Sequence, residues 1–285
     1  MIPLNIYIYL FFILTNMLIS FTLPDPALRP YVKGYFYIEL EAKPNAAPLD
    51  IHPVGYNTIA FTLNPKVFSS NDNDYDFSLS YHGYICKHIS LLPLTPLIKM
   101  IVVSFTATGA AQLFRIPQHE LLNQIVPFTD VFSASKTLNA QLEETDPCQK
   151  QALVHIEKWL LQQIPAKAPF LYSPNIDEAC KIIQSCEGHI RIDELCQKVG
   201  MSQRYLESHF KEMIGVSPKL YCRISRFIAV YQSILQNSHV EWGELVYRYR
   251  FFDQAHFIRD FKAFFGYSPS KIHLANSHLT RKIIL

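Results

Sequence analysis

The apolar positions change period partway along the chain. From about 23 to 109 they fall in short runs separated by turn residues. Tyr35, Phe36, Tyr37, Ile38 and Leu40 make one run, closed by the Pro-, Asn- and Ala-rich stretch 44–48. Thr58, Ile59, Ala60, Phe61, Thr62 and Leu63 alternate and stop at Asn64 and Pro65, the pattern of a half-buried strand. Asn71, Asp72, Asn73 and Asp74 read as a turn by composition. Residues 97–106 form a β-branched apolar run suited to a buried strand. Short strands at this spacing predict a small β-sandwich or barrel. Farther on the spacing becomes helical, and helices are predicted over 118–125, 133–144 and 148–164. In the last of these Ala152, Ile156, Trp159 and Leu160 form a stripe that suits a core or a dimer seam. Pro165, Pro169 and Pro174 then mark a linker, and everything beyond it reads as helix. The expected fold class is α+β. An apolar extension at 1–16 precedes an N-terminal domain at 17–164, built as a sandwich or barrel with helices. A linker at 165–173, an all-α domain at 174–275 and a tail at 276–285 follow.

The all-α part contains an internal repeat. Phe210, Lys211, Gly215, Ser217 and Pro218 recur 51 residues later as Phe261, Lys262, Gly266, Ser268 and Pro269. Upstream, Leu195 answers to Leu245 and Ser202 to Asp253. Each copy is a short helix, a tight turn, and a second helix that starts at a Ser or Asp cap and stops at Gly-x-Ser-Pro. A solenoid would need three or more copies. A pair of helices joined by a short turn is the helix-turn-helix arrangement, whose second helix enters the major groove of DNA.

Rotating each second helix by about 100° per residue separates its faces. Leu206, Phe210 and Met213 fall inward, with Arg204, Ser208 and Lys211 opposite and Gln203 and Glu207 on the flank. In the other copy Phe257, Phe261 and Phe264 fall inward, leaving Ala255, Arg259 and Lys262 outward, flanked by Gln254 and Ile258. A charged outward face is usually no more than a solvated surface, but here two copies share cap, stop and face. Arg pairs bidentately with guanine, Gln with adenine, and Lys neutralises phosphate, so these are the residue types that groove reading requires.

Charge adds to this picture only when divided. The chain has 285 residues and a net charge of +2. Residues 1–170 carry 11 Lys and Arg against 13 Asp and Glu, whereas residues 171–285 carry 15 against 11. The basic surplus therefore sits with the repeat, as an anionic partner would require. An apolar fraction of 49% excludes a mainly disordered chain. With 9 glycines against 18 prolines, and neither a P-loop nor G-x-G-x-x-G present, phosphate-cradling loops are excluded. The six cysteines form no Cys-x-x-Cys pair and read as buried free thiols, so no metal and no cofactor is expected. An enzyme would have to use His119 beside Glu120, the Asp72, Asp74 and Asp76 cluster, or those thiols. None has a readable nucleophile–base–orienter pattern.

Met1 to Pro24 carries no charged side chain and includes an apolar run from Ile6 to Leu14. Three readings stay open: translation from Met17 with 1–16 as upstream sequence, a membrane anchor using 2–23 as a span, and a secretory signal that lacks its basic n-region.

The repeat also carries a family resemblance. Residues 174–275 resemble the DNA-binding domain of the AraC/XylS family of bacterial transcription regulators. The resemblance rests on the stretch from Ile192 through Gly200, Arg204 and Phe210 to Lys211, and on that from Phe251 through Arg259 to Lys262 with Gly266 to Pro269. It implies two helix-turn-helix units joined by a long helix, here from Pro218 to about Leu235, reading successive major-groove segments. Base-contact positions would then hold Arg204, Glu207 and Ser208 in the first unit, and Gln254, Ala255, Ile258 and Arg259 in the second. Val246 and Arg250 depart from the family's small residue and glycine, so the second turn is expected to be distorted or Arg250 to reach the DNA backbone. The stretch Leu23 to Phe36 and Phe105 to Ala111 are similar to family sensor domains. This implies a cytoplasmic regulator with double-stranded promoter DNA as partner. RNA polymerase, a small-molecule effector and a second copy of the chain are further candidate partners. His52, Tyr56, His82 and Tyr84 are candidates to line an effector pocket, weighed against core or surface roles.

Overall fold

The computed structural model describes residues 17–42, 48–63, 68–70, 73–75, 78–145, 149–166, 173–236, 241–269 and 271. In chain order the strands are β1 (Met17–Thr22), β2 (Val32–Glu41), β3 (Leu49–Ile51), β4 (Thr58–Thr62), β5 (Phe68–Ser70), β6 (Asn73–Tyr75), β7 (Leu79–His82), β8 (Ile89–Pro93), β9 (Leu97–Phe105) and β10 (Ile125–Pro127). They form a larger sheet, β1-β2-β9-β4-β7-β10, and a smaller one, β3-β8-β5-β6. The paired strands of both sheets run antiparallel.

Alternation across the pleat explains why β2 and β9 read as continuous apolar runs. Tyr35, Tyr37, Ile101, Val103 and Phe105 point to one side of the larger sheet, into a core shared with helices. Ile38, Leu40, Ile98, Met100 and Val102 point to the other side and meet Leu91 of the smaller sheet. The helical layer consists of α1 (Gly109–Phe114), α2 (Phe128–Val131), α3 (Ser135–Thr145) and α4 (Gln149–Gln162). Phe114, Phe128 and Trp159 knit it together, with ring centroids 5.0 Å apart for the first pair and 6.0 Å for the second. The predicted stripe Ala152, Ile156, Trp159 and Leu160 is buried in this core, so it packs within the chain rather than serving as a dimer seam.

Three expectations are corrected. The stretch 118–125 is not a helix: a single 3-10 turn at Gln118–Leu121 leads into β10, where pairing with β7 overrides local pattern. Asn73 and Asp74 lie in β6, because the hairpin with β5 recruits them; Asn71, Asp72 and Asp76 lie outside the described residues. A helical span over 2–23 is incompatible with β1, which pairs Met17 with Leu40 and Thr22 with Tyr35 inside the larger sheet. Residues 1–16 lie outside the described residues, as do 167–172 of the expected linker. Among the described residues no helix is long and apolar enough to cross a membrane.

The C-terminal part holds α5 (Pro174–Ser185), α6 (Ile192–Val199), α7 (Gln203–Ile214), α8 (Pro218–Gln236), α9 (Trp242–Arg248) and α10 (Gln254–Phe265). The helices α6–α7 and α9–α10 are the two copies of the repeat, and α8 is the link. The turns of the two units are closed alike. Gly200 takes φ +65 and Met201 donates its N–H to the Cys196 carbonyl. Arg250 takes φ +50 and Phe251 donates to Val246. The second turn therefore keeps its shape despite Arg250, which bears the left-handed conformation that glycine holds without strain.

The two parts share buried surface. Tyr84 and Ala111 belong to the same core cluster as α5 to α10, and the Thr108 hydroxyl donates to the Asp177 carboxylate on α5. Both Gly-x-Ser-Pro stops touch the N-terminal domain. A Cβ on Gly215 would stand 3.0 Å from the Gln118 carbonyl oxygen, and one on Gly266 would stand 2.8 Å from His88 Nδ1. Nearby, the buried His52 ring packs on Phe265 at 4.1 Å. The N-terminal domain thus rests on both units at once.

The turn geometry makes a paired prediction. Arg250→Gly should raise the free energy of unfolding by about 1 kcal/mol, and Gly200→Arg should lower it by about the same amount. Urea titration of both variants checks this; no gain from Arg250→Gly would show that the left-handed residue carries no strain.

Candidate nucleic-acid interface

The interface is built by helix ends and stripes. At the start of α7 the Ser202 hydroxyl accepts from the Tyr205 N–H at 3.3 Å. At the start of α10 the Asp253 carboxylate accepts from the His256 N–H at 2.6 Å. Each cap satisfies a donor that the first turn leaves free. Both helices end at a left-handed glycine, Gly215 and Gly266. Between those ends, Leu206, Phe210, Met213, Phe257, Phe261 and Phe264 are buried as the periodicity predicts. The opposite side is thereby forced into solvent: Gln203, Arg204, Glu207, Ser208, Lys211, Gln254, Ala255, Ile258, Arg259 and Lys262 are all exposed.

The two faces differ in preparation. On α7, Gln203 donates to the Glu207 carboxylate at 2.9 Å, which holds that acceptor in one direction. Tyr205 stacks on His209 at 3.7 Å, stiffening the flank. On α10 the outward face is more apolar, carrying Ala255 and Ile258. Its orientation is fixed from behind: Arg223 of α8 donates to Asp260 at 2.7 Å, and His256 lies 3.6 Å from the same carboxylate. Tyr249 donates to the Ala229 carbonyl and His189 meets the Tyr249 carbonyl, tying the turn of the second unit to α8 and to the loop before α6.

Basic side chains surround both faces. Arg191, Lys198, Lys219, Arg248 and Arg250 are exposed, the population that phosphate neutralisation needs. Pattern reading passed over two aromatic side chains here, Tyr247 (88% exposed) and Phe252 (89% exposed). Neither belongs to a helical stripe, so the periodicity that exposed the faces was silent about them.

The other candidates separate. His52 and Tyr84 are buried core residues, and His82 lies beside Ser80 in β7, its pKa lowered to about 4 by burial. Tyr56 is half-buried and faces Lys33, whose ammonium stands 4.3 Å over its ring. Lys33 is exposed to solvent, and the partial desolvation imposed by the protein around it lowers its pKa to about 8. Gly55, next to Tyr56, comes close to α8, where a Cβ would stand 2.9 Å from Ile228 Cδ1, so Lys33 lies near where the two domains meet. No sequence signal distinguishes it from any outward lysine of a strand.

His119 and Glu120 are exposed on the 3-10 turn. Burial pushes the Cys222 thiol up to about 12 and the Cys180 and Cys196 thiols upward as well, which keeps them protonated and unreactive. Among the described residues no three His, Cys, Asp or Glu side chains cluster as metal ligands.

Comparison with known proteins matches this part of the chain and the N-terminal domain separately. A helix-turn-helix domain family matches residues 195–273, and a domain family of unknown function (DUF6597) matches 20–127. The HTH-type transcriptional activator AarP of Providencia stuartii is 25% identical over 96 residues, 34% of this chain and 70% of AarP. Among solved structures, ToxT from Vibrio cholerae O395 is 12% identical, with 83% of this chain and 94% of ToxT covered and a TM-score of 0.44. Unsaturated fatty acid bound wild-type ToxT from strain SCE256 is 13% identical, covering 90% and 95% at a TM-score of 0.44. Two capped and stopped helix-turn-helix units sit on one linking helix, and a helix-turn-helix domain family is matched across them, so the C-terminal part of the chain is a DNA-binding domain of the kind found in AraC/XylS transcription regulators.

Proposed function

We propose that this regulator reads promoter DNA in two successive major-groove segments, one through α7 and one through α10, under the control of a small anionic effector held between its two domains. The observation that carries the reading is the matched exposure of all ten outward residues on two helices whose inward faces share one core. Arg204 on the outward face of α7 and Arg259 on that of α10 supply base contacts, while Lys211 and Lys262, at equivalent positions, supply phosphate contacts. In this reading the chain works in the cytoplasm, with RNA polymerase and a second copy as further partners.

The effector part rests on Lys33. An exposed lysine beside the domain junction, over an aromatic ring and with no carboxylate within ion-pair distance among the described residues, offers an anion an open partner. Because both domains border it, an anion held there would change how the N-terminal domain sits on the two units.

Arg204→Ala and Arg259→Ala should each weaken binding to a selected site by about 1–3 kcal/mol, while Lys211→Ala and Lys262→Ala should each reduce the salt slope by about 1. Equal binding by wild type and both arginine variants would contradict the assigned faces. Partial desolvation disfavours the ammonium of Lys33, so the group is charged below about pH 8 and loses its charge as pH rises through that value. Thermal stabilisation by small carboxylates should accordingly be present below this pH, fade above it, and be absent in Lys33→Met. Stabilisation that ignores both pH and the substitution would place the effector elsewhere.

A further inference from the structure

The two units are not copies of equal length. Their first helices and turns align at a spacing of 50, since Gly200 and Arg250 are the left-handed residues and Met201 and Phe251 close the turns on Cys196 and Val246. Their second helices align at 51, since the caps are Ser202 and Asp253. One residue has therefore been inserted between turn and cap in the second unit, and that residue is Phe252. Its neighbour Phe251 is tucked under, 5.1 Å from the Phe257 ring and beneath the Arg226 guanidinium. Phe252 itself is 89% exposed. An exposed phenylalanine inserted beside the start of a groove-reading helix is costly in water unless a partner covers it.

The exposed face of α10 continues this apolar surface. Ala255 is exposed, and Ile258 is 38% exposed. The equivalent positions of α7 are Arg204 and Glu207, both polar. Apolar side chains in the major groove recognise the C5 methyl of thymine, Gln suits adenine, Arg suits guanine, and a carboxylate accepts from cytosine. We propose that the second unit reads thymine methyl groups through Ile258 and the inserted Phe252, with Gln254 on a paired adenine, so that the DNA site joins a G·C-bearing segment under α7 to a thymine-bearing segment under α10. This rests on the DNA-reading assignment above and specifies the sequence class that the second unit selects.

The test uses the full chain and a duplex selected from a random-sequence pool. Each thymine of the selected duplex is replaced in turn by deoxyuridine, which removes only the methyl group. In the α10 segment two replacements should each weaken wild-type binding about fourfold, the equivalent of about 0.8 kcal/mol for one buried carbon. One of them should be neutral in Phe252→Ser and the other neutral in Ile258→Ser; both side chains are exposed, so neither change threatens the fold. Replacements in the α7 segment should be neutral for all three proteins. A selected duplex in which every α10-segment replacement is neutral, or in which Phe252→Ser keeps full methyl sensitivity, overturns this inference alone. A pool from which no sequence emerges overturns the DNA-reading assignment and this inference with it.

Discussion

Everything the two reading helices do depends on their being packed against one rigid helix. α8 has 19 residues, a length of about 28 Å, close to the roughly 34 Å that separates successive major-groove segments on one side of B-DNA. Near its start Tyr221 meets Phe210 of α7 with centroids 5.7 Å apart. One and a half turns on, Phe227 meets Phe261, Phe264 and Phe265 of α10 at 4.7 to 5.8 Å. Aromatic packing of this density does not slide, because interiors rearrange between discrete packings rather than deforming smoothly. The distance between the two faces is thus a property of α8, and each face is outward because its opposite side is committed to that core.

The same packing gives the N-terminal domain the contacts through which the proposed control of DNA reading would pass. Gln118 stands against the end of α7 at Gly215, and His88 and His52 stand against the end of α10 at Gly266 and Phe265. These are the two Gly-x-Ser-Pro stops, the points where the chain leaves each reading helix. A domain resting on both exits bears on the angle between the units without touching either reading face. Lys33, over Tyr56 and near α5, lies near that junction, which is why an anion there is the proposed source of control.

Much of this was legible in the sequence because the signals were local and periodic. The strands β2 and β9 were marked by apolar runs, the reading helices by their caps, their stops and three inward aromatic or aliphatic residues each. The buried α4 stripe was also visible, although only the structure assigns it to the chain's own core. What escaped depends on distant pairing. β10 is three residues long and exists because β7 offers it an edge, so the propensity of 118–125 decided nothing. Asn73 and Asp74 have turn chemistry yet form a strand with β5. The domain junction joins His52, Tyr84, Gln118 and Asp177 to Phe265, Gly215 and Thr108 across long separations that carry no period. Lys33 looks like any outward strand residue, and only its place over Tyr56 and near α5 sets it apart. The insertion of Phe252 was present in the numbering all along, but its meaning required the turn hydrogen bonds that fix which residues correspond.

The central claim is that α7 and α10 enter successive major-groove segments on one face of the duplex. A hydroxyl-radical footprint of the full chain on a selected duplex tests it most directly. Two protected patches whose centres lie about 10 to 10.5 base pairs apart, on the same side of the helix, are the predicted result. A single patch, or two patches on opposite sides, would contradict the account.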